Sequence, residues 1–299
     1  MIELLKECRL CPRDCGADRL AGERGCCGAG KELRVGRAAL HAWEEPCLSG
    51  ERGSGTVFFS YCNLQCVFCQ NNSISREQAG KDITTGRLAE IFLKLQRQGA
   101  HNINLVTPTH YIPHIIEALD LAKGEGLALP VVYNTSGYER AESLRLLEGY
   151  VDIYLPDFKY LSAGPARRYS HAPDYPGAAK NALAEMVRQA GPPLFDADGM
   201  MKRGVIVRHL ILPGQYEEAK RILFYLHREY GDRIYISLMN QYTPFADSAA
   251  YPEISGRVPM EEYERLIDYA AGLGIRNGFV QETGTADESF IPSFRGEGV

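Results

Sequence analysis

The chain has 299 residues, room for one large α/β domain or two small ones. Its composition, 45% hydrophobic and 24% charged, is that of a globular protein with a sizeable core, which excludes a disordered chain and a disulfide-dependent miniprotein. A net charge of −5 and a pI near 5.9 give nucleic-acid binding no electrostatic support. No apolar run is long enough for a membrane span, and the opening MIELLKECRLCPRDC is no secretory signal, so no membrane association is expected and the cytosol is the expected compartment. Thiols stay reduced there, and clustered cysteines point to metal rather than to disulfides.

Cysteines stand at positions 8, 11, 15, 26, 27, 47, 62, 66 and 69, and none follows. Residues 1–53 read as an irregular, Cys-rich, metal-binding segment, 54–282 as an α/β body, and 283–299 as a polar tail carrying Phe290 and Phe294. Short apolar runs at 56–60, 103–106, 130–134, 151–155, 205–212, 234–238 and 278–280 read as buried strands. Amphipathic helices lie between them. The helix over 85–98 turns Leu88, Ile91, Phe92 and Leu95 to one face, with a Thr cap before it and Gly99 after it. Helices over 113–123, 139–148, 178–189, 217–229 and 260–271 follow the same logic. Strands separated by helices predict parallel pairing with right-handed crossovers. The long connections 161–177, 191–203 and 241–258 are candidate functional loops.

In a parallel α/β barrel, chemistry gathers at the carboxyl ends of the strands. Polar residues fall there strand by strand. Cys62, Cys66 and Cys69 follow the first, and Thr107, Thr109 and His110 the second. Asn134, Thr135 and Ser136 end the third, Asp157 and Lys159 the fourth. Arg208 and His209 lie on the fifth, and Asn240, Gln241 and Tyr242 follow the sixth.

The strongest signal is Tyr61-Cys62-Asn63-Leu64-Gln65-Cys66-Val67-Phe68-Cys69. Gaps of three and two residues let three thiolates take three corners of a [4Fe–4S] cubane, leaving one iron open to a ligand. Zinc and inert buried thiols are the alternatives. Structural zinc prefers four closed ligands, and no fourth stands nearby in the sequence.

Cys-x3-Cys-x2-Cys with an aromatic before the last Cys resembles the radical S-adenosylmethionine (SAM) superfamily, over roughly residues 54–282. The resemblance implies a partial parallel (β/α)6 barrel, a [4Fe–4S] cluster on Cys62, Cys66 and Cys69, and SAM chelated by the open iron. It implies reductive cleavage of SAM to methionine and a 5′-deoxyadenosyl radical that takes a hydrogen atom from substrate. It also implies an electron donor such as a flavodoxin or ferredoxin. Phe68 would lie near the adenine. Asp157-Phe158-Lys159, and Arg208-His209 followed by Leu212-Pro213-Gly214, look like pyruvate formate-lyase-activating enzymes and their uncharacterised relatives. That likeness puts Asp157, Lys159 and Arg208 at the SAM site and suggests a protein as substrate, with a small molecule also open. Asp157 can accept from a ribose hydroxyl, and Lys159 and Arg208 can each meet a carboxylate. Thr107-Pro108-Thr109 stands where the family's Gly-Gly-Glu holds the SAM amino group, leaving Thr107 and Thr109 oxygens to accept from it. Asn134 and Asn240 complete the expected cofactor-binding set.

Cys8, Cys11 and Cys15, then Cys27 after a turn, make a second constellation suited to zinc or another Fe–S cluster. Unliganded thiols are its alternative. The text Arg19–Gly25 resembles the amino-terminal segment of the same activating-enzyme-like group, which implies Cys27 rather than Cys26 as fourth ligand. Cys47 reads as a lone thiol. His110 reads as a substrate contact or a polar loop residue, and Tyr138 and Tyr242 sit by active-site loops. The rival reading is a non-catalytic Fe–S or zinc protein that binds a partner or relays electrons.

Overall fold

Buried apolar runs joined by amphipathic helices become a parallel sheet when each crossover packs back on it. The computed structural model of the chain describes residues 1–244, 248–281 and 294–299. After a 3-10 turn over Ile2–Leu5 come β1 (Leu33–His41), the short helix α1 (Pro46–Ser49) and β2 (Ser54–Phe59). A cysteine loop, α2 (Asn72–Ser75) and β3 (Lys81–Ile83) follow. Next come α3 (Thr85–Arg97), β4 (Ile103–Val106), α4 (Ile112–Gly124), β5 (Val131–Thr135), α5 (Ala141–Arg145) and β6 (Ile153–Pro156). Then come α6 (Ala163–Ser170), α7 (Tyr175–Ala190), the two-residue β7 (Leu194–Phe195) and β8 (Met201–Leu210). The last elements are α8 (Tyr216–Tyr230), β9 (Tyr235–Met239), α9 (Met260–Gly272) and β10 (Gly278–Val280).

The sheet order is β10-β9-β8-β6-β5-β4-β2-β1-β3, with β7 paired to β8. Every pairing from β2 through β10 along this path is parallel, and β1 joins β2 and β3 antiparallel. The path does not return on itself, so the barrel is partial. All seven strands expected from the sequence are present, those over 103–106 and 278–280 at the expected bounds and the other five with shifted ends. Among the described residues no helix is long and apolar enough to cross a membrane.

Two elements extend the sequence reading and a third falls short of it. The stretch read as irregular contains β1, whose alternation is broken by a bulge: Val35 pairs with Phe59, but Arg37 pairs with its neighbour Phe58. The stretch 161–177 holds α6, which buries only Ala166, Tyr169 and Ser170. Its lead-in is held from outside, because Leu161 and Ser162 both donate backbone N–H to Glu218 of α8 at 2.7 Å. The helix expected over 139–148 is only the short α5.

Side chains on a strand alternate between faces, and here the two faces have different fates. Leu105, Val131, Tyr133, Tyr154, Val205 and Val207 share a core with α3 residues Leu88, Ile91, Phe92 and Leu95. On the inner face, Val132, Ile153, Leu155 and Ile206 pack on Cys47 and Leu48 of α1. Thus α1 plugs the inside of the barrel, and Asn102 Nδ2 donates to the Leu48 carbonyl at 2.8 Å. Cys47 is there a buried free thiol.

The chain's last residues return to β1. Phe294 packs on Phe58 with ring centroids 5.3 Å apart, Gly296 N donates to the Gly36 carbonyl at 3.0 Å, and Ala38 N donates to the Glu297 carbonyl at 2.9 Å. The rest of the expected tail, Phe290 included, lies outside the described residues.

Beyond β5 the backbone turns at Gly137 with φ +77°, and a Cβ there would stand 2.2 Å from the Asp157 carbonyl oxygen. Close by, the buried carboxyl of Glu139 accepts from Thr109 Oγ1 at 2.6 Å, from Tyr133 OH at 3.4 Å and from the Thr135 hydroxyl. Burial pushes Glu139 up to about 7, although these three hydroxyls oppose the shift.

Two outcomes follow from this turn. Gly137→Ala is expected to destabilise the fold by about 2–4 kcal/mol in urea unfolding, from left-handed backbone strain plus overpacking. Glu139 holds its proton more tightly folded than unfolded. Its contribution is therefore full below the ordinary value of 4.5 and is lost as pH rises through 7. Wild-type thermal stability should carry a loss of about 3 kcal/mol from this group between pH 4.5 and 8, and Glu139→Gln should remove that loss.

Candidate active site

Inner-face residues of six strands meet above the plug. Phe58, Val106, Asn134, Asp157, Arg208, Leu210 and Met239 line a cavity of about 290 Å³. His41 at the end of β1, with Trp43 and Glu44 between β1 and α1, forms another part of its wall. Cys66, Phe68, Cys69, Gln70 and Asn71 enter from the loop after β2, and Lys159, Gln241 and Gln281 complete the lining.

The cavity is built around one ion network. Asp157 accepts from Lys159 Nζ at 2.7 Å and from Arg208 Nε at 3.1 Å. Arg208 also donates to Asn134 Oδ1 at 2.6 Å and to Glu44 Oε2 at 3.3 Å. Asn104 Nδ2 fixes the other Glu44 oxygen at 3.0 Å. Burial pushes Asp157 up, but Lys159 and Arg208 outweigh it and hold the carboxyl below its ordinary range. Burial pushes Lys159 down, and Asp157 with Cys66 reverses that, holding the ammonium above its ordinary range. At Glu44 burial wins over Arg208 and Asn104, so the carboxyl is raised. Two cations thus face two carboxyl groups. A ligand carrying both an ammonium and a carboxylate can exchange partners with such a network without stranding a buried charge.

The cysteine loop has left-handed backbone at two residues that are not glycine, Tyr61 (φ 72°) and Gln65 (φ 54°). Such geometry costs about 1–2 kcal/mol per residue and is kept where surrounding contacts enforce it. The contacts are here: Val67 N donates to the Tyr169 carbonyl at 2.8 Å, and the Arg76 guanidinium bonds the Cys66 carbonyl. Each thiol has a donor aimed at it. Leu64 N lies 3.4 Å from Cys62 Sγ, Ser170 Oγ 3.0 Å from Cys66 Sγ, and Ser75 Oγ 3.5 Å from Cys69 Sγ. Burial, with Cys69 and Cys66 nearby, pushes the Cys62 thiol up to about 12; burial also raises Cys66, against the pull of Lys159.

Among the described residues, no three His, Cys, Asp or Glu side chains converge to hold a single ion. Each thiolate of a cubane sits on its own iron, so its ligands need no common point. An all-sulfur donor set, a donor on each sulfur and the Lys159 charge beside Cys66 fit an iron–sulfur cluster.

Of the expected cofactor-binding residues, the structure gathers Phe68, Asn134, Asp157, Lys159 and Arg208 around the cavity. Thr107, Thr109 and Asn240 are not in its lining. Thr107 and Asn240 each follow an inward residue, Val106 and Met239, and so fall on the opposite parity. Thr107 N bonds the Asn134 carbonyl at 2.9 Å, and Thr109 is committed to Glu139. The Arg208–His209 pair divides the same way, with His209 Nδ1 2.8 Å from the Phe158 carbonyl. His110 is buried with Nε2 2.8 Å from the Ser60 carbonyl. Tyr242 flanks Phe68, with ring centroids 6.2 Å apart, and Tyr138 donates to Asp174 at 2.8 Å. Glu44 is the residue that sequence reasoning missed. Its signal was slight, two adjacent acids ahead of Pro46.

At the amino terminus Cys8, Cys11 and Cys27 are buried and Cys15 is half-buried, while Cys26 is exposed. A Cβ on Gly25 would lie 3.3 Å from Cys27 Sγ and 3.6 Å from Cys15 Sγ, so these two sulfurs flank one glycine.

The family model of the radical SAM superfamily matches residues 56–226, more than half of the chain. The chain is 30% identical over 276 residues to the uncharacterized protein MJ0674 of Methanocaldococcus jannaschii, covering 89% of this chain and 75% of that protein. Its fold is similar to that of SuiB from Streptococcus suis. Against SuiB bound to the precursor peptide SuiA the TM-score is 0.51 at 14% identity, covering 75% of this chain and 47% of SuiB. Against SuiB bound to S-adenosylmethionine it is 0.50 at 13% identity, with 75% and 48% covered. The chain therefore spans about half the length of SuiB, and at these identities the likeness concerns the fold. The family match, resting on the stretch that carries the cysteine loop and the Asp157 network, places this chain in the radical SAM superfamily.

Proposed function

We propose that the protein reductively cleaves SAM at a [4Fe–4S] cluster on Cys62, Cys66 and Cys69 and takes a hydrogen atom from a protein substrate. The observation that carries this reading is one cavity shared by Cys66, Cys69 and the Asp157–Lys159–Arg208 network. When bound, the cluster and SAM would supply the electron transfer and the 5′-deoxyadenosyl radical. The chain's own residues bind and orient. Asp157 is an acceptor suited to a ribose hydroxyl, and its two cations are suited to a carboxylate. Phe68 offers an aromatic face, backed by Tyr242. Gln70 Nε2 donates to the Gln241 carbonyl at 2.6 Å, tying the cysteine loop to the end of β9 and limiting water.

A peptide or protein substrate is supported by the activating-enzyme-like Asp157-x-Lys159 pattern. It is also supported by the cavity rim, where Trp43 is 65% exposed. SuiB, which shares the fold, binds a precursor peptide. The same reading includes a cytosolic location, an electron donor such as a flavodoxin or ferredoxin, and a second metal, zinc or an Fe–S cluster, at Cys8, Cys11, Cys15 and Cys27.

The test is 5′-deoxyadenosine formation by anaerobically iron-loaded, dithionite-reduced protein. Wild type should form it, and Cys62→Ala, Cys66→Ala and Cys69→Ala should not. Asp157→Asn should keep the cluster's absorption and weaken SAM binding about 10–100-fold, the loss of one charge-assisted hydrogen bond. A full cluster with no nucleoside formed would overturn the proposal in favour of partner binding or electron relay.

A further inference from the structure

One of the amino-terminal cysteines, Cys8, touches a charge that no carboxylate answers. Arg19 is 0% exposed. Its Nε donates to the Gly30 carbonyl at 2.8 Å, and Nη1 to the His110 carbonyl at 2.7 Å. Nη1 also lies 3.8 Å from Cys8 Sγ, Nη2 has no hydrogen-bond partner among the described residues, and the guanidinium lies over the Tyr111 ring, 5.7 Å from its centroid. The guanidinium cannot shed its proton, and a buried cation without a counter-charge is strongly destabilising. His110 and His114 give no relief, because burial and the Arg19 charge hold both neutral.

Two of the four sulfurs have a donor aimed at them: Ala29 N points back at Cys27 Sγ at 3.4 Å, and Arg19 itself serves Cys8. Metal thiolates are held and tuned by such donors.

We propose that Arg19 is the buried counter-cation of a tetrathiolate metal centre formed by Cys8, Cys11, Cys15 and Cys27. This rests on the reading that these four cysteines bind metal. A cubane, which takes each thiolate on its own iron, suits sulfurs with no common point, whereas zinc requires them drawn together; either way four thiolates carry net negative charge. With four protein ligands the centre is closed, and its role is structural. It also backs the radical-SAM loop directly. Gln65 Nε2 donates to the Cys27 carbonyl at 3.2 Å. Arg13, between Cys11 and Cys15, donates to the carbonyls of Asn63 at 2.9 Å, Ser170 at 3.1 Å and His171 at 2.6 Å.

The experiment uses the full chain with Cys62, Cys66 and Cys69 changed to Ala, so that only the amino-terminal set can hold a cluster. Metal analysis should find about one zinc or about four irons per chain, which identifies the centre, and Cys8→Ser should lose it. Absence of both metals from the parent protein would overturn the four-cysteine reading itself. Arg19 is then tested by Arg19→Met and Arg19→Lys. In chelator competition, Arg19→Met should loosen the metal about 10–100-fold while Arg19→Lys retains it. The thermal midpoints should shift with opposite signs: Arg19→Met lowers that of the metal-loaded protein and raises that of the metal-stripped protein, where Arg19 is an unanswered charge. Unchanged metal affinity in Arg19→Met, or an equal lowering of both midpoints, would show that Arg19 is only a packing residue and overturn the proposal.

Discussion

The alternation of side chains along parallel strands is the constraint from which the site follows. A barrel strand has one face for the helices and one for the lumen, and no residue can serve both. Here the lumen face of β5, β6 and β8 carries apolar residues where α1 fills the space, and above it Asn134, Asp157 and Arg208 stand among apolar residues such as Phe58, Val106 and Met239. Asn134, Asp157 and Arg208 reach one cavity because each stands on the lumen parity of its own strand. Their immediate neighbours Thr135, Phe158 and His209 bond behind the sheet or pack there. A one-residue slip in any of these strands would exchange the two sets.

The network gains its fixed shape from burial. Arg208 reaches three acceptors on three separate segments, Asp157 after β6, Asn134 on β5 and Glu44 before α1. Two of these partners are held elsewhere as well, Asp157 by Lys159 and Glu44 by Asn104. An exposed pair would wander and be screened by salt; this one is confined by the walls that desolvate it. The amino-terminal cysteines show the same physics incomplete, with a buried cation whose partners are carbonyls, one sulfur and the Tyr111 ring.

Much of this was legible in the sequence, because the signals are local. The spacing of Cys62, Cys66 and Cys69 is read directly, and the seven barrel strands announce themselves as short apolar runs between amphipathic helices. The polar residues after those runs marked the working end of the barrel. Which of two adjacent polar residues faces inward was harder to read, since it depends on where each strand begins. Thr107 and Asn240 show this. Strand β1 was hidden because its bulge interrupts the period of two. Glu44 was hidden because its partner Arg208 lies 164 residues away, a contact only the folded sheet creates. Likewise α6 depends on Glu218, supplied by a helix much later in the chain.

The plug also constrains the order of assembly. Cys47 and Leu48 belong to an early part of the chain, yet they are covered by β5, β6 and β8, which are made later. The hairpin of β1 and β2 brackets α1 and can form from neighbouring sequence alone. Later strands then curl about a form already laid down, much as a sheet of metal is bent about a mandrel. Growth from the amino terminus during synthesis would present that form first, leaving the long-range strand pairings to close around it. The curvature of the finished barrel, and with it the width of the cavity mouth, is in this sense written into the first sixty residues.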